Sequence, residues 1–253
     1  MTIDVENLSI AGKANYKKVM EGQKVYSEFQ QMSWEPMKYN EELLMKILDD
    51  NKDTEYGKKY DFAHIQSIED YQRKVPVSVY DDYVEYILRM TEHGEENLIC
   101  SYPINHYSKS SGTMGNPKKV PMSDKAIDVF FRYNRSFMSA MLADKLGLDW
   151  IDGRCMSLTE SMDQIGTLKN GATYGALSVK MMMGRRARLP LLFTSPDEAT
   201  FPVTGTNTRY LHARFGLMDN NITNAGASFH SYFLEMMRYI EKHWEMLVKD
   251  IEQ

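Results

Sequence analysis

Residues 107–121 constrain the fold and the function of this chain more strongly than any other stretch of the sequence does. The segment combines glycines, hydroxyl side chains and a lysine. It follows an apolar run at residues 98–102, which resumes at Ile104, and precedes a second apolar step at residues 120–122. This arrangement predicts a strand, a loop and a second strand, and the composition of the loop is typical of a site that binds phosphate.

A polyphosphate is bound by backbone N–H groups that point into a concavity, by hydroxyl donors and by a cation on a long side chain. Glycines at 112 and 115 allow positive φ angles, so the backbone can close around the ligand. The hydroxyls at 110, 111 and 113 add donors. The predicted phosphate-binding residues are Ser110, Ser111, Gly112, Thr113, Gly115 and Lys118.

Two common nucleotide-binding fingerprints do not fit this segment. In a Walker A loop that began at Gly112, the second glycine would fall at position 117, which is proline, and no Gly-Lys-Ser/Thr follows. The chain also contains no Gly-x-Gly-x-x-Gly. A Ser/Gly-rich hairpin without a ligand stays open as the alternative to a phosphate loop.

Composition narrows the class of protein. With 253 residues, 43% of them hydrophobic, the chain can build one large or two small domains. A formal net charge of −5 argues against a general nucleic-acid binder. The basic cluster at residues 185–188 fits a solvated loop. The six histidines are scattered and no Cys-x-x-Cys occurs, so no metal site is predicted.

The sequence also predicts where the protein works. Cys100 and Cys155 lie in apolar runs and are expected to be buried, reduced thiols. Asp4 and Glu6 interrupt the start of the chain, which therefore does not resemble a signal peptide. No apolar stretch is long enough to span a membrane. We expect a cytoplasmic protein that binds neither membranes nor nucleic acid.

Helical periodicity predicts the elements around the loop. Helices are expected over residues 13–34, from Asn40 onward, after the N-cap Ser67, from Tyr80 to a stop at Gly94, and after the N-cap Ser123. The last of these is expected to bury one long apolar face. Residues 154–183 contain short apolar pieces separated by glycines, which predicts strands or a region of loops and strands.

The spacing of the loop resembles a motif of adenylate-forming enzymes, [ST]-S-G-T-[TS]-G-x-P-K, onto which residues 110–118 fall directly. Met114 departs from it, because a hydroxyl residue is usual at that position. Further blocks occur in order: N-x-x-T-E-Y-G from Asn51, V-P-V, Y-D-D-Y from Tyr80, and T-S-P-D-E from Thr194. From about residue 43 to 251 the chain resembles the auxin-responsive GH3 family of acyl acid-amido synthetases, which includes plant auxin-conjugating enzymes.

The resemblance implies a reaction. A GH3 enzyme uses ATP and Mg²⁺ to adenylate a carboxylate and then transfers the acyl group to an amine such as an amino acid. Lys118 would compensate charge on the phosphates and act as the catalytic residue, while the other loop residues would hold the nucleotide. Four residues beside the loop are candidates for the acyl-acid pocket: His106, Tyr107, Arg132 and Arg135. Exposed arginines and a hydrogen-bonded core histidine are the simpler interpretation of the same residues.

The resemblance also implies an α/β fold, with helices packed on a mixed β-sheet, that forms the N-terminal portion of an adenylate-forming large domain. Residues 1–95 would form a helical segment and residues 96–253 the front of the nucleotide-binding domain. The downstream adenine and ribose motifs of the family are not found in the sequence. A C-terminal half and a small domain are therefore expected to be missing, which would leave this chain inactive alone. The chain would then be a truncated piece, a shortened gene product or one half of a split protein whose partner is the missing C-terminal half. A non-catalytic interaction remnant and an acyl-CoA-type ligase are the alternatives.

Overall fold

The computed structural model describes residues 3–110, 117–158, 165–227 and 229–253, without the side chains of Arg135 and Ser136. Helices dominate this part of the chain. In chain order they are α1 (Ile10–Met32), α2 (Pro36–Asn51), α3 (Glu55–Lys59), α4 (Ile68–Lys74), α5 (Val84–Leu88), α6 (Asp124–Phe131), α7 (Phe137–Leu146), α8 (Leu177–Met183), α9 (Leu189–Leu192), α10 (Asp197–Thr200), α11 (Thr208–Leu217) and α12 (His230–Ile251).

The strands are β1 (Ile104–Lys109), β2 (Lys119–Ser123), β3 (Arg154–Leu158), β4 (Gly166–Thr167), β5 (Thr173–Gly175) and β6 (Ile222–Ala227). Over the described ranges they form a four-stranded sheet in the order β2-β1-β5-β4 and a two-stranded sheet of β3 and β6. In the larger sheet β1 is antiparallel to β2 and parallel to β5. This confirms the predicted class of helices packed on a mixed sheet.

The chain packs as two units that interleave along the sequence. One contains residues 1–23, 135–164 and 178–253, and the other contains residues 24–134 and 165–177. The resemblance to the family implied a single division into residues 1–95 and 96–253. That division stays a prediction.

The second unit, residues 24–134 and 165–177, carries the four-stranded sheet. Its largest core cluster comprises Tyr86, Ile87, Met90, Leu98, Tyr107 and Ala172. Tyr107 lies on β1, so the helices before the sheet pack against the strand that leads into the loop. A second cluster of Leu48, Ile65 and Val75 joins α2 to the short helices that follow it.

The first unit packs α11 and α12 against β3 and β6. Its core cluster comprises Met156, Leu158, Ala213, Met236 and Leu247. Gly216 on α11 lies where a Cβ would come within 2.8 Å of the Met156 side chain. A glycine at this position lets helix and strand approach closely.

Residues 54–57, the Thr-Glu-Tyr-Gly part of the block at Asn51, build a tight corner between α2 and α3. Thr54 caps α3, because its hydroxyl accepts a hydrogen bond from the Gly57 N–H at 2.9 Å. A Cβ on Gly57 would lie 2.1 Å from the Asn51 carbonyl oxygen. Only glycine fits there without movement of the backbone.

Gly57→Ala is therefore expected to destabilise the protein by about 1–3 kcal/mol through overpacking. Urea unfolding measures the loss. Gly166→Ala is the matched control, since the nearest atom to its new Cβ would be the Tyr174 carbonyl oxygen at 3.8 Å. Equal stability of the two variants would contradict this account of the corner.

Four expectations about burial and secondary structure are wrong. Residues 177–183 lie in the segment predicted to form strands or loops, but they form helix α8. Residues 98–102 form bends, and β1 begins only at Ile104. The helical stretch after Ser123 exposes part of its apolar face: Phe130 is 39% exposed and Met138 41%. Cys100 and Cys155 are free but only half-buried. Burial nevertheless raises the pKa of the Cys155 thiol to about 11.

Local helix signals are confirmed. The hydroxyls of Ser67 and Ser123 accept hydrogen bonds from the N–H groups of Asp70 and Ala126. Gly94 ends its helix with a φ of 70°. None of the helices in the described part of the chain combines the length and the apolar composition that crossing a bilayer requires.

Candidate functional site

The predicted phosphate loop connects two paired strands. β1 and β2 form a hairpin in which Lys109 lies opposite Lys119. Beyond this pair the Ser110 N–H donates to the Lys118 carbonyl at 3.1 Å, and the Lys118 N–H donates to the Ser110 hydroxyl at 2.9 Å. The structure thus brings together the first and last predicted phosphate-binding residues, which close the base of the loop.

The remaining predicted loop residues, Ser111, Gly112, Thr113 and Gly115, lie outside the described residues. Their assignment to phosphate binding stays a prediction. The described base carries three lysines, at 109, 118 and 119, in adjoining or paired positions. Three cations at the closed end of a hairpin favour an anionic ligand in the adjoining loop.

Tyr80 is a contact of the loop that sequence reasoning missed. It begins a 3₁₀ turn, Tyr80–Tyr83, 39 residues before Lys119. Its hydroxyl accepts a hydrogen bond from the Lys119 N–H at 2.9 Å and lies 3.4 Å from the Lys119 carbonyl oxygen. The Lys118 ammonium lies 5.0 Å from the centroid of its ring. The available signal was the Y-D-D-Y block, which carried no assigned role.

His106 and Tyr107 lie at the buried centre of β1. The Thr173 hydroxyl donates to the Asn105 carbonyl at 3.1 Å, so it accepts the hydrogen bond from His106 Nδ1 at 2.9 Å. This contact links β1 to β5. Tyr107 is 1% exposed, and burial raises its pKa. Both side chains therefore stabilise the sheet, and their role in an acyl-acid pocket stays a prediction.

A cavity of about 420 Å³ lies at the other end of β1 from the loop. Its lining includes Tyr102, Ile104, Asn105, Tyr107 and Asn170. Of the predicted site residues only Tyr107 lines it, so the described structure does not join this cavity to the loop base.

The predicted arginines follow the loop on the next helical stretch. Arg132 pairs with Glu28 and lies over the Tyr133 ring at 5.8 Å. It begins a π-helical turn, Arg132–Ser136. The Arg135 side chain lies outside the described residues. A role for either arginine in binding a carboxylate stays a prediction.

An ion-pair network fixes the helix that follows β2. The Tyr102 hydroxyl donates to the Asp50 carboxylate at 2.7 Å, and the Lys125 ammonium of α6 lies 3.0 Å from the same oxygen. These hydrogen bonds, from Tyr102 first and then from Lys125, hold the pKa of Asp50 well below its usual range. The network thereby connects α2 with the segment before β1 and with the start of α6.

This network predicts a pH dependence. Asp50 has a lowered pKa in the folded state, so its stabilising effect is complete above the ordinary aspartate pKa of about 4 and is lost as the pH falls below it. The thermal midpoint of Asp50→Asn should therefore fall less than that of the wild type between about pH 5 and pH 3. Asp49→Asn, which removes an exposed carboxylate paired with Lys52, is the control. Parallel profiles for wild type and Asp50→Asn would contradict the assignment.

The T-S-P-D-E block forms the entry to α10. Pro196 precedes the helix, and Asp197 and Glu198 lie in its first turn, where carboxylates interact favourably with the helix dipole. Asp197 accepts hydrogen bonds from Arg186 Nε at 3.0 and 2.7 Å. Ser195 is buried, with its hydroxyl 2.5 Å from His212 Nδ1 on α11. The block thus has a structural role in its unit.

No group of three or more His, Cys, Asp or Glu side chains is placed to bind a metal ion within the residues that the structure describes. Mg²⁺ commonly binds through substrate phosphates with one or two carboxylates. Binding of ATP and Mg²⁺ stays a prediction.

Comparison with known proteins identifies the family. Residues 25–253 match the family model described as the GH3 family N-terminal domain. The chain belongs to the GH3 family.

Among curated GH3 relatives, a probable indole-3-acetic acid-amido synthetase, GH3.11 of Oryza sativa subsp. japonica, is 28% identical over 236 residues, which are 91% of this chain and 39% of that protein. The jasmonoyl-L-amino acid synthetase JAR6 of Nicotiana attenuata is 26% identical and covers 94% of this chain and 41% of its own length. This chain therefore spans about 40% of the length of the relatives it matches.

Solved GH3 structures share the fold. The GH3.15 acyl acid amido synthetase superposes with a TM-score of 0.76 at 24% identity, over 90% of this chain and 40% of that one. A structure of AtGH3.15 acyl acid amido synthetase in complex with 2,4-DB gives a TM-score of 0.71 at 22% identity. The predicted resemblance to the N-terminal part of a GH3 protein is confirmed.

Proposed function

We propose that this GH3 chain forms the N-terminal part of an acyl acid-amido synthetase. Such an enzyme adenylates a carboxylic acid with ATP and transfers the acyl group to an amine. One observation supports this above the others. In a chain of this family, Ser110 and Lys118 close the base of a hairpin loop whose sequence carries the hydroxyls and glycines of an adenylate-forming motif. Because the chain spans about 40% of the length of its relatives, the activity is proposed for a full-length protein that also contains the rest of the length found in those relatives.

Stabilisation of negative charge is the task of the loop in this proposal. The carboxylate oxygen attacks the α-phosphate and pyrophosphate leaves, which gives the acyl adenylate. This displacement spreads negative charge over the phosphate oxygens, and preorganised N–H groups, hydroxyls and a cation offset that charge. Ser110, Ser111, Gly112, Thr113 and Gly115 would hold the β- and γ-phosphates, with Lys118 balancing their charge. Bound Mg²⁺ would supply further positive charge to those oxygens.

The first substrate is a small organic carboxylate. Such an acid is already ionised at neutral pH, so the adenylation step requires no general base from the protein. The curated relatives are named for indole-3-acetic acid and for jasmonoyl amino acids, which supports an acid of this kind and an amino acid as acceptor.

Two free thiols and the absence of a membrane-crossing helix from the described residues are compatible with the cytoplasm as the location of the protein.

Acid-dependent exchange of pyrophosphate into ATP tests the proposal. The full-length protein is incubated with Mg²⁺, ATP, labelled pyrophosphate and a panel of carboxylates that includes auxin-like and jasmonate-like acids. We expect exchange with at least one acid, and amide formation when amino acids are added. Product with coenzyme A in place of amino acids would favour the acyl-CoA ligase alternative. Absence of exchange and of ATP binding would favour the interaction remnant.

A further inference from the structure

We propose that Tyr80 is a positioning residue for the phosphate loop, fixing its exit strand through the hydroxyl and the Lys118 ammonium through the ring. The inference rests on the proposed function, since it concerns how the loop binds ATP. Tyr80 does not touch the reacting atoms in this proposal and acts through Lys118 and Lys119.

The position of β2 in the sheet explains what the hydroxyl does. β2 is the edge strand in the described order β2-β1-β5-β4. In an antiparallel pair, residues that face each other alternate between hydrogen-bonded and non-bonded pairs. Since Ser110 N–H bonds to the Lys118 carbonyl, the next pair, Lys109 and Lys119, is non-bonded. The N–H and C=O of Lys119 therefore point away from β1.

Tyr80 meets both of these outward groups. A phenol hydroxyl accepts and donates at once. It accepts a hydrogen bond from the Lys119 N–H at 2.9 Å and donates one to the Lys119 carbonyl at 3.4 Å. The Tyr80 hydroxyl therefore pairs with the edge of the sheet as the backbone of a further strand would. The exit of the loop is thereby anchored to the helical segment before β1.

The ring of Tyr80 acts on the neighbouring residue. Lys118 Nζ lies 5.0 Å from the ring centroid, within the range of a cation–π contact. A lysine side chain otherwise samples many rotamers, so this contact holds the ammonium beside the base of the loop. The Lys118 ammonium would then move only a short distance to reach phosphate oxygens, and ordering its side chain would cost little entropy.

Tyr80 is itself held in place. The Val79 N–H donates to the Asp82 carboxylate at 2.8 Å, which closes the start of the 3₁₀ turn. The Tyr83 hydroxyl lies 2.6 Å from the Ser78 hydroxyl and 3.1 Å from that of Tyr56. The Asp82 contact fixes the turn. The Tyr83 hydroxyl bonds only within the segment before the sheet and does not touch the loop, so Tyr83 offers a matched control.

The experiment compares Tyr80→Phe, Tyr80→Leu and Tyr83→Phe in the full-length protein by acid-dependent pyrophosphate exchange. Tyr80→Phe removes the hydroxyl and should raise the KM for ATP about fivefold. Tyr80→Leu also removes the ring and should raise it about 10- to 25-fold. In both, kcat should stay within about twofold, whereas a lower fraction of folded protein would reduce apparent kcat and leave KM unchanged.

Hydrogen exchange of the Lys119 amide gives a second readout that needs no ATP. It should become about fivefold faster in Tyr80→Phe and stay unchanged in Tyr83→Phe. If Tyr80→Leu folds poorly, Tyr80→Phe and this amide decide the matter. If the wild type is active and Tyr80→Phe and Tyr83→Phe have the same KM for ATP, the inference about Tyr80 is wrong and the proposed function stands. A wild type without exchange activity would overturn the proposed function and the inference with it.

Discussion

Lys118→Ala should lower acid-dependent pyrophosphate exchange by about 10²- to 10³-fold, the usual effect of removing one preorganised group that stabilises charge in the transition state. The described geometry places Lys118 at the base of the loop. The Lys118 N–H is fixed by the Ser110 hydroxyl, and its ammonium lies against the Tyr80 ring at the base of the loop. The thermal midpoint should hardly change, because an exposed lysine contributes little to stability.

Lys58→Ala is the control for charge, because Lys58 is an exposed lysine on α3 in the same unit. It should leave exchange unchanged. Lys118→Arg keeps the charge with a different shape and separates the need for a cation from the need for an ammonium group. If Lys118→Ala retains wild-type exchange, the loop binds nucleotide without this side chain and its catalytic assignment is wrong.

Leu247→Ala should remove about 2–5 kcal/mol from the free energy of unfolding, the largest stability effect expected from the described structure. Leu247 is fully buried on α12 and belongs to the cluster with Met156, Leu158, Ala213 and Met236. Truncation would leave a cavity between this helix and β3, where neighbouring side chains can relax only in part. Urea unfolding followed by circular dichroism measures the change.

Leu234→Ala makes the same chemical change in α12, before the kink at His243, at a residue that is 50% exposed. Leucine and alanine both favour helix, so this control isolates burial from helix propensity. Its effect should stay within about 0.5 kcal/mol. Comparable losses in the two variants would mean that α12 does not pack through Leu247.

Signals that act within one turn were predictable from the sequence. Ser67 and Ser123 cap helices because a serine hydroxyl reaches the N–H three residues ahead whatever the rest of the fold does. Gly94 ends a helix because it adopts positive φ at little cost. The hairpin around residues 110–118 follows from the same kind of local chemistry, with glycines and hydroxyls between two short strands.

Burial of a helix face was not predictable in the same way. The apolar residues after Ser123 have helical spacing, yet Phe130 and Met138 remain partly exposed. Spacing shows that a face is apolar, but a face is buried only where another element packs against it. Leu98 illustrates the converse, since it joins the core from a bend that the apolar run suggested to be a strand.

The sequence by itself determined the family, the position of the loop and the chemical groups that the loop offers to phosphate. These are properties of residue type and spacing over a few positions. The tertiary structure decided which distant residues meet that loop. Tyr80 reaches Lys119 across 39 residues of chain because β2 is a sheet edge with outward N–H and C=O groups, and an edge exists only once the strands have paired.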